Sequence, residues 1–263
     1  MSTNPELLFD VPHEGAAGFG KPELFVGLAR DEEDVRAAQR LRYKVFAEEM
    51  GAQLHSDQPG LDVDPFDTFC RHLIVRDRRH GDNGEVVACM RVLQDTDARV
   101  AGSFYSETEF ELGNLITAPG RVMEIGRVCV HPEYRGGMVV SMLWAGLARF
   151  FQVTEFNRII GCASIPLAAD GAGAMAAFAA LAERYMAPAE FRVTPKLPLP
   201  LRDGPVPEAA RIPPLLLAYM RLGAKICGEP CWDPDFNTAD LVVLLNPADL
   251  RQRYAKRFLK QAA

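Results

Sequence analysis

The chain has 263 residues, 48% of them hydrophobic and 24% charged, with a net charge of −6 at neutral pH. That length is enough to bury a substantial core, and the balance is ordinary for a folded chain, which excludes wholesale disorder. A pI near 5.5 argues against nucleic acid as the main partner, because phosphate binding needs a concentrated positive field.

Residues 1–20 read as a polar tail, and residues 21–263 as a single domain. The tail lacks a basic start followed by an apolar stretch, so a cytoplasmic protein is expected. The longest apolar runs, IPPLLLAYM (212–220) and LVVLLNPA (241–248), fall short of the roughly 20 residues that span a bilayer. Membrane contact, if the chain makes any, is therefore expected to be peripheral. Six scattered cysteines, with only Cys227 and Cys231 close together and no His or Cys cluster beside them, read as buried free thiols with no metal site.

In chain order, ELFVGLA (23–29) predicts a strand, and residues 31–51 predict a helix. Asp31 supplies its cap, Val35, Ala38, Leu41, Val45 and Phe46 recur at helical spacing, and Gly51 stops it. The runs 72–77 and 85–93 flank a turn with Asp-Asn-Gly, the signature of a hairpin. Residues 94–121 look irregular. A strand through 123–130 follows, then a helix from about Val139 to Phe156 and a strand at 158–164, which together imply a parallel crossover. An Ala-rich helix is expected at 173–186, then an ordered Pro-rich excursion at 187–214. A short helix at 214–224, a strand at 240–246 and a basic helix at 247–261 complete the chain. An early antiparallel hairpin with a later parallel crossover predicts an α+β fold with one mixed sheet flanked by helices.

The stretch MEIGRVCVHPEYRGGMVV (123–140) runs from strand through a Gly/Arg turn into a helix. A turn that wraps a pyrophosphate wants small residues where backbone N–H groups approach oxygen, yet Met138, Val139 and Val140 stand there. That substitution favours a donor carrying a single phosphate, such as a carrier-protein pantetheine, over coenzyme A.

The element order and VCVHPEYRGG resemble the Gcn5-related N-acetyltransferase fold. LRYKVF, DVDPFD, CMRVL and EIGRVCV are similar to motifs of the acyl-homoserine-lactone synthases, through Arg42 and Phe46, Asp64 and Asp67, Arg91, and Glu124 with Arg127. Across most of its length, from EIGRVCVHPEYRGG through MLWAGLARF and IIGCAS to residues 213–245, the chain resembles the ornithine N-acyltransferases of bacterial ornithine-lipid synthesis, a group also labelled haemolysins. Two features depart from these relatives. GAQL (51–54) stands where the signal synthases carry an aromatic residue, and IPLAADG (165–171) replaces a Gly-turn.

The resemblance implies transfer of a 3-hydroxyacyl chain from acyl carrier protein to the α-amine of ornithine, with no bound cofactor. It implies catalytic Glu124 and Arg127. Arg42, Phe46, Asp64, Asp67, Arg91, Cys162 and Ser164 would contact substrate, and Val128, Val130, Arg135 and Gly136 the pantetheine arm or its carrier. Another acceptor amino acid, a lactone signal and a membrane-lytic protein stay open as alternatives.

Aminolysis of a thioester needs a neutral amine and a stabilised oxyanion. Glu124 is the candidate base, directly or through water, and a backbone N–H between Val128 and Val130 is the candidate oxyanion donor. Strand alternation puts Glu124 and Arg127 on opposite faces unless a bulge at the central glycine intervenes. An ion pair between Glu124 and Arg127 that only secures the sheet is the competing reading. A buried Arg91 would need a carboxylate, and Asp64 or Asp67 is the expected partner. Asp64 and Asp67 would otherwise cap their own loop, and Arg42 would lie on a solvated helix face. His72 and His131 read as structural. The basic residues of 247–261 would form a solvated face or attract an acidic carrier or anionic lipid.

Overall fold

A computed structural model describes residues 22–80, 83–135, 137–150, 155–167, 171–199 and 211–247. The expected polar tail, Gly136, part of the Pro-rich excursion and the basic C-terminal helix lie outside the described residues. Two compact units emerge, Met1–Leu93 with Gly126–Glu155, and Gln94–Ile125 with Phe156–Ala263.

In the first unit, β1 (Leu24–Leu28) pairs antiparallel with β2 (Arg71–Asp77), which pairs antiparallel with β3 (Glu85–Gln94). The hairpin turn closes on Gly84 at φ +72°, a left-handed position that favours glycine. Between β1 and β2 lies α1 (Glu32–Tyr43), capped by Asp31, whose side chain accepts from the Asp34 N–H. Lys44–Glu49 continues it as a π-helix and Gly51 ends the run at φ +75°. The helix α4 (Met138–Phe150) packs on β1 and β2 and buries Leu143 and Leu147 completely. Each such side chain contributes about 1.5–3 kcal/mol on burial. Gly146 permits the close approach, since a methyl there would press on Val26 and Leu73.

In the second unit, β5 (Val122–Val130) enters parallel to β6 (Arg158–Pro166) through Val122–Arg158, Met123–Ile159 and Glu124–Ile160. Next to β6 runs β10 (Thr238–Leu245), antiparallel over its full length, and β8 (Lys225–Ile226) and β9 (Cys231–Asp233) pair with β10. β5 contributes residues to both units, and the strands make one mixed eight-stranded sheet, as the sequence predicts. The region expected to be irregular instead holds α2 (Asp95–Ala101), a 3-10 turn at Tyr105–Thr108, β4 (Phe110–Glu111) and α3 (Asn114–Thr117). β4 pairs with β7 (Thr194–Pro195), which places the start of the Pro-rich segment against it. The Ala-rich helix α5 (Ala172–Tyr185) and the short α6 (Pro214–Leu222) form at their predicted places. No helix of the described residues is long and apolar enough to cross a membrane.

Gly161 lies on β6, where an added Cβ would collide with the Ile125 carbonyl oxygen. Gly161→Ala is therefore expected to destabilise the protein by about 1–3 kcal/mol, which denaturant melting would register as a lowered midpoint.

Candidate active site

The first unit gathers a buried charge network. Arg42 is 0% exposed. Its Nε meets Asp62 at 2.8 Å, Nη1 and Nη2 grip Asp67 at 2.8 and 2.7 Å, and Nη2 also donates to the Asp62 carbonyl. Arg91 reaches Asp64 at 2.7 Å and Asp67 at 3.1 Å, which fulfils the expectation that this buried arginine needs a carboxylate. Arg127 turns to Asp62 at 3.3 Å and Asp64 at 3.0 Å, and Gln39 donates to Asp67 at 3.0 Å. Burial alone would raise the Asp67 carboxyl, but the Arg42 hydrogen bond and the charges of Arg42 and Arg91 hold it well below the usual carboxylate range.

Asp64 and Asp67 also form a reciprocal cap on the 3-10 turn Pro65–Phe69, so both capping and ion pairing are true of the same carboxylates. Arg42 does not lie on a solvated face. A helical residue followed by a π-turn points inward here because Asp62 and Asp67 receive its guanidinium. Phe46, four residues on, is buried in that π-turn. His72 is buried with Nε2 3.0 Å from the Asp67 carbonyl, and burial lowers its pKa.

Arg127 has φ +50°, a left-handed backbone that a residue with a side chain rarely adopts inside a strand. The irregularity expected at Gly126 thus falls one residue later and breaks the simple alternation of faces. Val128 and Val130 are partly buried. Beyond them Arg135 is exposed, and its guanidinium makes a bidentate pair with Glu49 at 2.5 and 2.6 Å. His131 is buried, with Nε2 2.7 Å from Lys44 Nζ.

The second unit holds Glu124, 4% exposed on β5. Its Oε2 accepts from the Tyr105 N–H and its Oε1 from the Ser106 N–H, both at 2.7 Å, and the Ser106 hydroxyl donates to Oε1 as well. These donors fix the orientation of the carboxylate. The same hydroxyl lies 3.3 Å from Cys162 Sγ on β6. Cys162 Sγ, a Glu109 carboxylate oxygen and an Asp240 carboxylate oxygen all lie within 4.8 Å of one another. Thr238 Oγ1 donates to Asp240 at 2.7 Å. Burial first, then the negative charges of Asp240 and Asp233, push the Glu109 carboxyl up to about 8. Ser164, in register with Asp240 across β6 and β10, is exposed.

A family model described as an acetyltransferase (GNAT) domain matches residues 41–145. The L-ornithine N(alpha)-acyltransferase of Agrobacterium fabrum is 36% identical over 241 residues, 86% of this chain and 82% of that protein. The protein of the same name from Rhodobacter capsulatus is 32% identical over 246 residues, covering 90% of this chain and 95% of the relative. The chain belongs to the L-ornithine N(alpha)-acyltransferase family. Among solved structures, the AHL synthase LasI aligns with a TM-score of 0.52 and 11% identity over 86% of this chain and 91% of that one, a likeness of fold.

In this member of the L-ornithine N(alpha)-acyltransferase family, the sequence singled out Glu124 and the Arg/Asp motifs as candidates but not Asp62, Ser106, Glu109 and Asp240, which the fold sets beside them. Asp62 stands inside DVDPFD, and Asp240 is a lone acid in TADLVVLL, so both carried a legible signal. Ser106 and Glu109 lie in the segment without periodicity, where no pattern marks one polar residue above its neighbours.

Proposed function

We propose that this chain transfers a fatty acyl group from acyl carrier protein to the α-amine of ornithine. The observation that supports the acceptor chemistry best is Glu124, an oriented carboxylate on the parallel strand with Ser106 Oγ hydrogen-bonded to it. The amine nitrogen attacks the thioester carbonyl and forms a tetrahedral oxyanion. The nitrogen gives up a proton to Glu124, directly or through Ser106 or a water. Collapse then breaks the C–S bond, and the departing pantetheine sulfur takes a proton, leaving an amide and a free thiol.

A backbone N–H between Val128 and Val130 would stabilise the oxyanion. The left-handed Arg127 just before it redirects the strand's amides, and the Arg/Asp network would hold that conformation. The donor reading rests on the turn leading into α4. Met138, Val139 and Val140 crowd a diphosphate cradle, and Glu49 already neutralises Arg135. A single pantetheine phosphate asks less of such a turn.

The test is to offer the purified protein the same 3-hydroxyacyl chain on carrier protein and on coenzyme A, with ornithine, and to identify the lipid by mass spectrometry. Carrier-bound acyl groups should react with kcat/KM at least about tenfold higher, some 1.4 kcal/mol in transition-state terms. A preference for coenzyme A would reject the donor, and absence of any acylated amine would reject the activity.

A further inference from the structure

We infer that Glu109, with Asp240 beside it, receives the side-chain ammonium of the acceptor amino acid and so selects ornithine over neutral amino acids of the same length. The inference rests on the ornithine acylation proposed above and names the part of the site that reads the substrate's second charge.

Glu109 follows the Tyr105–Thr108 turn that carries the Glu124-binding N–H groups, and Asp240 lies on β10. Glu109 Oε2 is buried and has no hydrogen-bond partner among the described residues, although the residue as a whole keeps partial exposure. A buried carboxylate oxygen without a donor is costly, and a charged one more so. Asp240 and Asp233 act on that carboxyl through their negative charge, and Cys162 and Tyr105 hydrogen-bond to it, so none of the groups named brings a positive charge. Asp240 itself is 5% exposed and adds its charge to the same spot. The contrast with the first unit is direct. There each of Asp62, Asp64 and Asp67 meets a guanidinium.

The position suits a diamino acid. From Glu124 the polar path runs through Ser106 Oγ to Cys162 Sγ at 3.3 Å, and from Cys162 to Glu109 and Asp240. An acceptor with its α-amine at Glu124 would carry its trimethylene arm along that path and deliver its ammonium to the unsatisfied oxygen. Because Glu109 holds its proton to about pH 8, an arriving ammonium displaces that proton, and acceptor binding tightens as pH rises toward that value. The titratable and charged groups facing Glu109 are Asp240, Asp233, Cys162, Cys231 and Tyr105, with Glu124 beyond Cys162.

The experiment compares kcat/KM for ornithine and for norvaline, the same carbon chain without the side-chain ammonium, with one acyl donor. In Glu109→Gln the ornithine-to-norvaline ratio should fall at least tenfold; an unchanged ratio overturns the inference. In the unaltered protein, the KM for ornithine should fall severalfold relative to that for norvaline between about pH 6.5 and pH 8.5. A flat relative KM overturns the inference even if the variant fails to fold. Loss of the ornithine preference on dialysis against a chelator would also overturn it, because a metal ion would then be the cation that the trio holds. If the unaltered protein acylates no ornithine at all, the proposed function fails; if it does so with a ratio indifferent to Glu109, only this inference fails.

Discussion

Glu124→Gln should lower kcat at pH 7 by about two to three orders of magnitude, the range that a positioned general base contributes. An amide keeps the size of the side chain but cannot take a proton, and its NH2 would face one of the donors, the Tyr105 N–H on one side or Ser106 on the other. A displaced turn would also slow the reaction, so a second readout is needed. At higher pH the free α-amine loses its proton to solvent, and the need for a base shrinks. The deficit of the variant should therefore narrow several-fold between pH 7 and pH 9.5, whereas a misplaced turn would leave it constant. Retention of full turnover with the pH dependence of the unaltered protein would remove Glu124 from proton transfer. Ser106→Ala keeps the backbone N–H groups and removes only the hydroxyl, so the loss expected there is smaller, roughly tenfold.

The second large effect concerns stability. Arg42→Ala should cost about 3–5 kcal/mol, because it leaves Asp62 and Asp67 facing a buried gap in place of a guanidinium. For a chain of this size that corresponds to a fall in Tm of roughly 6–20 °C. The change would also release Arg127, which shares Asp62 with Arg42. Loss of acyl transfer should then accompany loss of stability, and a double-mutant cycle with Asp67→Ala should give a coupling of at least about 1 kcal/mol. A drop in Tm under about 2 °C would show that the network is solvated. The network also has a pH signature. Asp67 sits below its ordinary value, so its contribution to stability is complete above about pH 4 and is lost as pH falls further.

By itself the sequence determined the regular frame. Period-two and helical patterns, the Asp31 cap and the turn at Gly84 are local signals. They located β1, β2, β3, β5, β6, β10 and the helices α1, α4 and α5 within a few residues. The resemblance of LRYKVF and EIGRVCV to signal-synthase motifs picked out Arg42 with Phe46 and Glu124 with Arg127. What only the tertiary structure decided is who meets whom. Arg127 and Glu124 are three residues apart, yet the left-handed turn at Arg127 sends its guanidinium to Asp62 and Asp64, while Glu124 takes the N–H groups of Tyr105 and Ser106. Ser106 and Glu109 come from a segment whose short turns are held by contacts distant in sequence, β4 against β7 among them, and such contacts leave no periodic trace. The orphaned oxygen of Glu109 is equally invisible in the chain, because burial without a partner belongs to the folded arrangement and not to the residue.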